Sequence, residues 1–216
     1  MCIDVNDLNT KILKDSPNDL MFFQNFIDFM IELKAPVKYK KPGHPNNDQN
    51  DEYLNKEIFN FTKKYNIAEG SNTELIFDNL RHAFMSYKSG GLLNLFKHRE
   101  AESWYPKVII RDIIYPHHIN TLDKEIQIFR GTSKKEYISQ KFSQAWTIDK
   151  KIAEKFAFLH YADQTDYQDT SRVILETKIN KENIYYFSLD DDENEIIVDE
   201  RKIIYQNVKI IKEKIL

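Results

Sequence analysis

The sequence predicts an α+β fold in two parts, mainly helical over residues 1–118 and mainly β over residues 119–216. Three observations predict it. All six prolines lie at or before Pro116, and four of the five glycines precede residue 100. Apolar residues in the first half recur at helical spacing. The second half alternates, or clusters β-branched and aromatic residues, as strands do. With 41% hydrophobic and 13% aromatic residues among 216, the chain can build a core on which the helical part packs against the β part.

In chain order, Ser16-Pro17-Asn18-Asp19 offers an N-cap, a proline at the first helical position and an acid in the first turn. The following LMFFQNFIDFMIEL places Phe22, Phe23, Phe26, Ile27, Met30 and Ile31 on one face, and Pro36 ends the helix. APVKYKKPGHPNNDQND reads as loop or linker. A second helix is expected over about residues 52–65. A third opens at the capping box Ser71-Asn72-Thr73-Glu74, with Ile76, Leu80, Phe84 and Tyr87 along one side. In the second half EIQIFRG, SRVILETKI, NIYYFSL, EIIVD, KIIYQ and VKIIKEKIL read as strands. Between them DKKIAEKFAFLHYA is a helix begun by Asp149, with Ile152, Ala153, Phe156, Ala157 and His160 on one side.

Composition excludes some classes and leaves others open. Charged residues make up 30% and no apolar run approaches the roughly 20 residues of a membrane span. The N-terminal MCIDVNDLNTKILKDS lacks the basic flank and apolar stretch of a signal peptide. Cys2 is the sole cysteine, so neither an internal disulfide nor a cysteine-based metal site can form, and a reducing, cytoplasmic setting is the default expectation. The net charge of −3 is too small to name a partner. From Asn79 to Arg111, however, six Lys/Arg (81, 88, 97, 99, 107, 111) face two acids (100, 102), with His82, His98, Trp104 and Tyr105 among them. Such a stripe can follow a phosphate backbone, or it can be a solvated helix face.

Three stretches could carry chemistry. In IFRGTS, Arg130 sits on a strand with apolar alternates, where an arginine must pair or reach a cleft. Its planar fork suits a diphosphate, and Gly131 beside it permits close approach to the main chain; a structural Arg–carboxylate pair is the simpler explanation. In QAWTIDKKIAEKFA, Thr147 ends a short strand, Asp149 caps a helix, and Trp146 suits a core as well as a ligand platform. In SLDDDENEIIVDE, five carboxylates stand among the six residues 190–195, directly before an apolar strand. An extended backbone would put Glu193 and Glu195 on one face, where mutual repulsion raises one of them for proton work. Charge guarding an exposed edge is the alternative.

Taken in order, arginine-glycine on a strand, a short strand before a helix with A-x-x-F-A, and Glu-x-Glu leading Ile-Ile-Val resemble the R-S-E class of mono-ADP-ribosyltransferases. The resemblance covers roughly residues 124–216, and TIDKKIAEKFA and ENEIIVD are its closest phrases. It implies an ADP-ribosyltransferase-like split β-sandwich with NAD as co-substrate in a cleft between two small sheets. Arg130 would hold the diphosphate, Gly131 would receive the nicotinamide amide, and Thr147 would fix cofactor and glutamate, with Trp146 beside it. Glu195 would be the catalytic carboxylate, Glu193 would orient the nucleophile, and aspartates 190–192 would form the target-recognition turn. The family's first serine is Ala145 here and its middle threonine is Trp146. Tryptophan-threonine before A-x-x-F-A is also similar to the FRG domain. The aromatic that stacks on nicotinamide is open among Tyr161, Tyr167 and Phe187.

The resemblance implies an intracellular toxin or effector that modifies a macromolecule, protein or RNA/DNA, and admits an antitoxin or other inhibitor protein as partner. Two other classes compete. One is a metal-dependent phosphodiesterase or nuclease using Asp190, Asp192, Glu193 and Glu195 on magnesium; the other is a non-catalytic binding module, suggested by Ala145.

Overall fold

The computed structural model describes residues 2–33, 46–98, 104–160, 171–190 and 192–214, with backbone alone at 2, 46–51, 86, 89, 90 and 98. The chain divides into two compact units, Met1–Ile109 and Ile110–Leu216, a boundary slightly ahead of the 118/119 division expected from the sequence.

The first unit is helical, as expected, with α1 over Asn6–Asp15, α2 over Leu20–Glu32, α3 over Asn46–Thr62 and α4 over Asn72–His98. A short ribbon accompanies them, β1 (Cys2–Asp4) pairing antiparallel with β2 (Lys107–Ile109). The apolar face of α2 is buried at Phe22, Phe23, Phe26, Ile27 and Met30, whereas Ile31 is exposed. It meets Ile76, Leu80 and Phe84 of α4 in one core. The start of α4 is capped as its sequence implies, Glu74 N–H donating to Ser71 Oγ at 3.1 Å. Two expectations need correction. Pro17–Asp19 forms a 3₁₀ turn rather than a helical cap, because the Ser16 hydroxyl donates to the Asp19 carboxylate at 2.7 Å instead of accepting a backbone N–H. Residues 46–51, read as linker, already belong to α3, while 34–45 lie outside the described residues.

The second unit holds a curled, wholly antiparallel six-stranded sheet in the order β6-β7-β4-β3-β5-β8. Its strands are β3 (Glu125–Ser133), β4 (Ala145–Thr147), β5 (Arg172–Asn180), β6 (Ile184–Phe187), β7 (Glu195–Val198) and β8 (Lys209–Lys214). Its described α-helices are α5 (Lys134–Ser139), which the sequence reading did not anticipate, and α6 (Lys150–Phe158). KIIYQ is not a strand: 3₁₀ turns at Glu200–Lys202 and Tyr205–Asn207 fold it back so that Tyr205 packs on Tyr137 and Phe142.

Alternation along the strands sorts the side chains onto two faces. Ile128, Trp146, Leu175, Ile196 and Val198 fill the main core. On the opposite face Phe129 and Ile174 pack under α6 through Ala153 and Ala157. The sheet has a seam. β3 carries nine consecutive ladder pairs with β5, but Phe129–Thr147 is its single pair with β4.

Candidate functional site

The seam gathers the three stretches singled out in the sequence, because β3, β4 and β7 are consecutive neighbours. Thr147 is the meeting point, paired with Phe129 on one side and Glu195 on the other. Paired residues of an antiparallel ladder share a face, so Phe129, Thr147 and Glu195 form one row across three strands. That row lies on the α6 face.

Glu195 opens β7 and is only 9% exposed. Its Oε2 atom is buried and accepts no hydrogen bond, although the residue makes other interactions. Glu193, by contrast, is exposed in the turn before the strand. The expectation that the two carboxylates share one face of an extended segment is therefore corrected. Asn194 between them adopts φ 47°, the left-handed region that asparagine tolerates better than most residues, and this breaks the period of two. Thr147 secures the turn. Its Oγ1 donates to the Glu193 carbonyl at 2.8 Å and accepts from Asp149 N–H at 3.0 Å. Ile148 N–H adds a bond to the Asn194 carbonyl at 3.3 Å. Asp149 in turn caps α6, accepting from Lys151 N–H at 2.8 Å.

Gly131 lies under α6. A Cβ built there would stand 2.1 Å from the Ala153 carbonyl oxygen and 2.4 Å from the Ala157 nitrogen, so close helix–strand packing alone requires the glycine. Its main chain is laddered to Ile174 of β5 but lies two residues beyond the only β3–β4 pair.

Arg130 projects to the other face, opposite Leu175 of the main core. Its Nε donates to Glu136 Oε1 at 2.9 Å and its Nη2 to Glu136 Oε2 at 3.2 Å, while Nη1 reaches across the seam to the Ala145 carbonyl. Glu136 also accepts from the Thr132 hydroxyl and from Ser143 N–H. Burial pushes the Glu136 carboxyl up, but Arg130 and these donors outweigh it and hold the carboxyl below its ordinary value. The simpler reading of Arg130 is the one realised, a satisfied half-buried ion pair. Period-two alternation places it on the opposite side of the strand from the Glu195 row. Glu136 was not singled out; the signal that would have found it is an acid one helical turn past the strand, at the N3 position after Ser133.

Trp146 is a core residue, 3% exposed, donating from Nε1 to the Ser143 carbonyl and packing edge-on against Phe142. Its side chain faces away from Thr147's, which corrects its assignment to the cofactor. Phe187 is likewise buried in the main core, and Tyr161 and Tyr167 lie outside the described residues. Among the described residues no group of three or more His, Cys, Asp or Glu side chains is placed to hold a metal ion, so Asp190, Asp192, Glu193 and Glu195 are not gathered for that purpose; Asp191 lies outside them.

Several members of the basic stripe are engaged within the protein or buried. Arg81 is paired with Asp78, Lys88 donates to the Ile31 carbonyl, Tyr105 is buried, and Arg111 forms a two-pronged pair with Glu200 in the second unit. Residues 99–103 lie outside the described residues. No described helix is long and apolar enough to cross a membrane.

No family model, no curated protein and no solved structure matches this chain.

Proposed function

We propose that the second unit transfers ADP-ribose from NAD to a macromolecule and releases nicotinamide, with Glu195 as the catalytic carboxylate. The observation that carries this reading is the ladder pairing of Thr147 with Glu195, joined to the Thr147 Oγ1 bond to the Glu193 carbonyl. Together they hold a buried carboxylate on a rigid strand and an exposed one on the adjoining turn, the division of labour this chemistry needs. As the C1′–N bond breaks, its electron pair leaves with nicotinamide and positive charge develops on the ribose. A fixed carboxylate with little water around it stabilises that charge. The incoming nucleophile then bonds to C1′ and gives up its proton, a task suited to the solvent-accessible Glu193.

Two family roles are reassigned. Arg130 sets the spacing of β3 and β4 instead of binding diphosphate, because Glu136 and the Ala145 carbonyl engage its fork. Trp146 serves the core. Gly131 keeps its role: its main chain beyond the last β3–β4 pair is free of that ladder and can meet the nicotinamide amide. The target, protein or nucleic acid, and any inhibitor protein stay open in this reading.

The test is to incubate the full chain with NAD labelled in the adenylate and a whole-cell lysate, measure free nicotinamide, and treat labelled material with protease or nuclease. Release of nicotinamide with transfer of label, both lost in Glu195→Gln, is expected. Undiminished turnover by Glu195→Gln, or no nicotinamide from the parent under any lysate condition, overturns the proposal.

A further inference from the structure

On the β3–β5–β8 half of the sheet, away from β7, a groove of about 440 Å³ opens between the strand ends and the segment carrying the 3₁₀ turns. Its volume falls in the range of small-molecule sites, but its lining is polar. Among the described residues five carboxamides line it, those of Gln127, Asn180, Asn183, Gln206 and Asn207. None of these side chains makes a hydrogen bond within the protein among the described residues, so each offers both donors and an acceptor to a guest. Lys202 and Lys209 also line it, and neither has a carboxylate within ion-pair distance among the described residues. The third lysine, Lys178, is already paired with Glu125 at 2.7 Å. Glu176 contributes the one remaining acid among the described residues.

Two ammonium groups call for an anion, and ammonium is well suited to phosphate as a point charge. Carboxamides call for hydroxyls or a base edge, to which Asn and Gln can bond in pairs. Among the described residues no aromatic ring lines the groove, so they supply no stacking platform of the kind on which single-stranded nucleic acid depends. We propose that this groove binds a small phosphate ester, a nucleoside or sugar monophosphate, with the phosphate on Lys202 and Lys209 and the polar body on the carboxamides. This site is separate from Glu195 and does not depend on the transferase reading.

The test follows the side-chain amide resonances of the five carboxamides in the ¹⁵N-labelled full chain during titration with ribose 5-phosphate, AMP, ribose, adenosine and inorganic phosphate. Both phosphate esters, or one of them, are expected to shift these resonances saturably, and the tighter of the two identifies sugar or nucleoside as the body. A Lys202→Ala/Lys209→Ala chain, altered only at exposed positions, is expected to bind at least about tenfold more weakly. Equal binding of ribose or adenosine without phosphate overturns the proposal, as does unchanged affinity in the double variant. So do phosphate alone binding as tightly as either ester, and an absence of shifts up to about 10 mM ligand.

Discussion

The hydroxyl of Thr147 donates to the main-chain carbonyl of Glu193 at 2.8 Å, forty-six residues away in sequence, and the side chain is buried. The same oxygen accepts from Asp149 N–H, so one side chain ties the carboxylate-bearing turn to the start of α6. Thr147→Val keeps the shape and removes both bonds. It leaves the Glu193 carbonyl and the Asp149 N–H, both at a half-buried position, without this partner, which costs about 1 kcal/mol in urea unfolding. Thr147→Ser is expected to recover most of that loss. If the turn serves transfer, the valine variant also loses turnover while serine restores it; two variants of equal stability would show that the bond does not hold the turn.

Gly131→Ala is expected to be more damaging than its single methyl suggests. The clashing atoms are backbone atoms of α6 at 2.1 and 2.4 Å, which cannot rotate aside. Either the helix lifts from β3, uncovering Phe129 and Ile174, or the strand shifts. Overpacking of this kind costs about 3 kcal/mol or more. A thermal or urea midpoint within error of the parent would mean that α6 does not lie where the distances place it.

That glycine shows what could be read in the chain and what could not. The helix over α6, the apolar strands at β3, β5, β6 and β7, and the buried faces of α2 and α4 follow from periodicity, because a period of 2 or 3.6 reports directly which side chains are covered. The reason for Gly131 does not, since it depends on Ala153 and Ala157 from another element; small residues four apart on α6 were the available clue. Arg130 could be read as buried and needing a partner, but Glu136 went unnoticed because α5 is only six residues long and carries little pattern. Glu-x-Glu misled for a local reason. Alternation assumes extended backbone, and Asn194, a residue that accepts positive φ, interrupts it. KIIYQ failed similarly: three of its five residues are apolar or aromatic, yet the run packs through turns, with Tyr205 as its anchor. The site was thus legible as three stretches and not as faces.

The Arg130–Glu136 pair yields a prediction in which sign matters. Removing one partner, as in Arg130→Met, leaves a carboxylate desolvated among Thr132, Ser143 and the core, and costs about 3–5 kcal/mol. Replacing both, Arg130→Met with Glu136→Gln, is expected to be milder than the sum of the two single variants, since no buried charge is left. Arg130→Lys is not conservative here, because an ammonium cannot serve two Glu136 oxygens and the Ala145 carbonyl in the same plane. A double-mutant cycle on unfolding free energies measures all of this. Strict additivity would mean that the two side chains do not act together.

Acid unfolding should carry the mark of Asp199. Its hydrogen bonds with Arg201 bring the carboxyl from 3.8 down to about 2, against an opposing effect of burial. A carboxyl depressed on folding contributes stability that is present above its unfolded value and is lost as pH falls through the folded one. The window is therefore from about pH 4 to pH 2. Glu136 and Glu200 are also held low and act in the same direction. Asp199→Asn is expected to lower stability at pH 7, to flatten the decline below pH 4, and to meet the parent curve near pH 2. Parallel curves, with a constant gap from pH 7 to pH 2, would rule out this origin for the acid sensitivity.

The two glutamates of Glu-x-Glu should separate by function because the structure separates them by environment. Glu195 starts a strand, buried and paired with Thr147, whereas Glu193 is exposed on a turn whose carbonyl Thr147 holds. Under the proposed activity, charge develops at the ribose when nicotinamide departs, and only a fixed, desolvated carboxylate stabilises it strongly. Glu195→Gln is expected to slow nicotinamide release by about 10²-fold or more, the scale on which loss of one preorganised electrostatic contact acts. Glu193→Gln leaves that contact in place. It is expected to retain release of nicotinamide to water while losing transfer to the macromolecule, as a missing proton acceptor affects the nucleophile and not the leaving group. Both variants change an oxygen for a nitrogen without altering size, so matched unfolding curves exclude a folding explanation. Equal loss of both readouts in the two variants would mean that the carboxylates work as one unit, and the division drawn from their burial would be wrong.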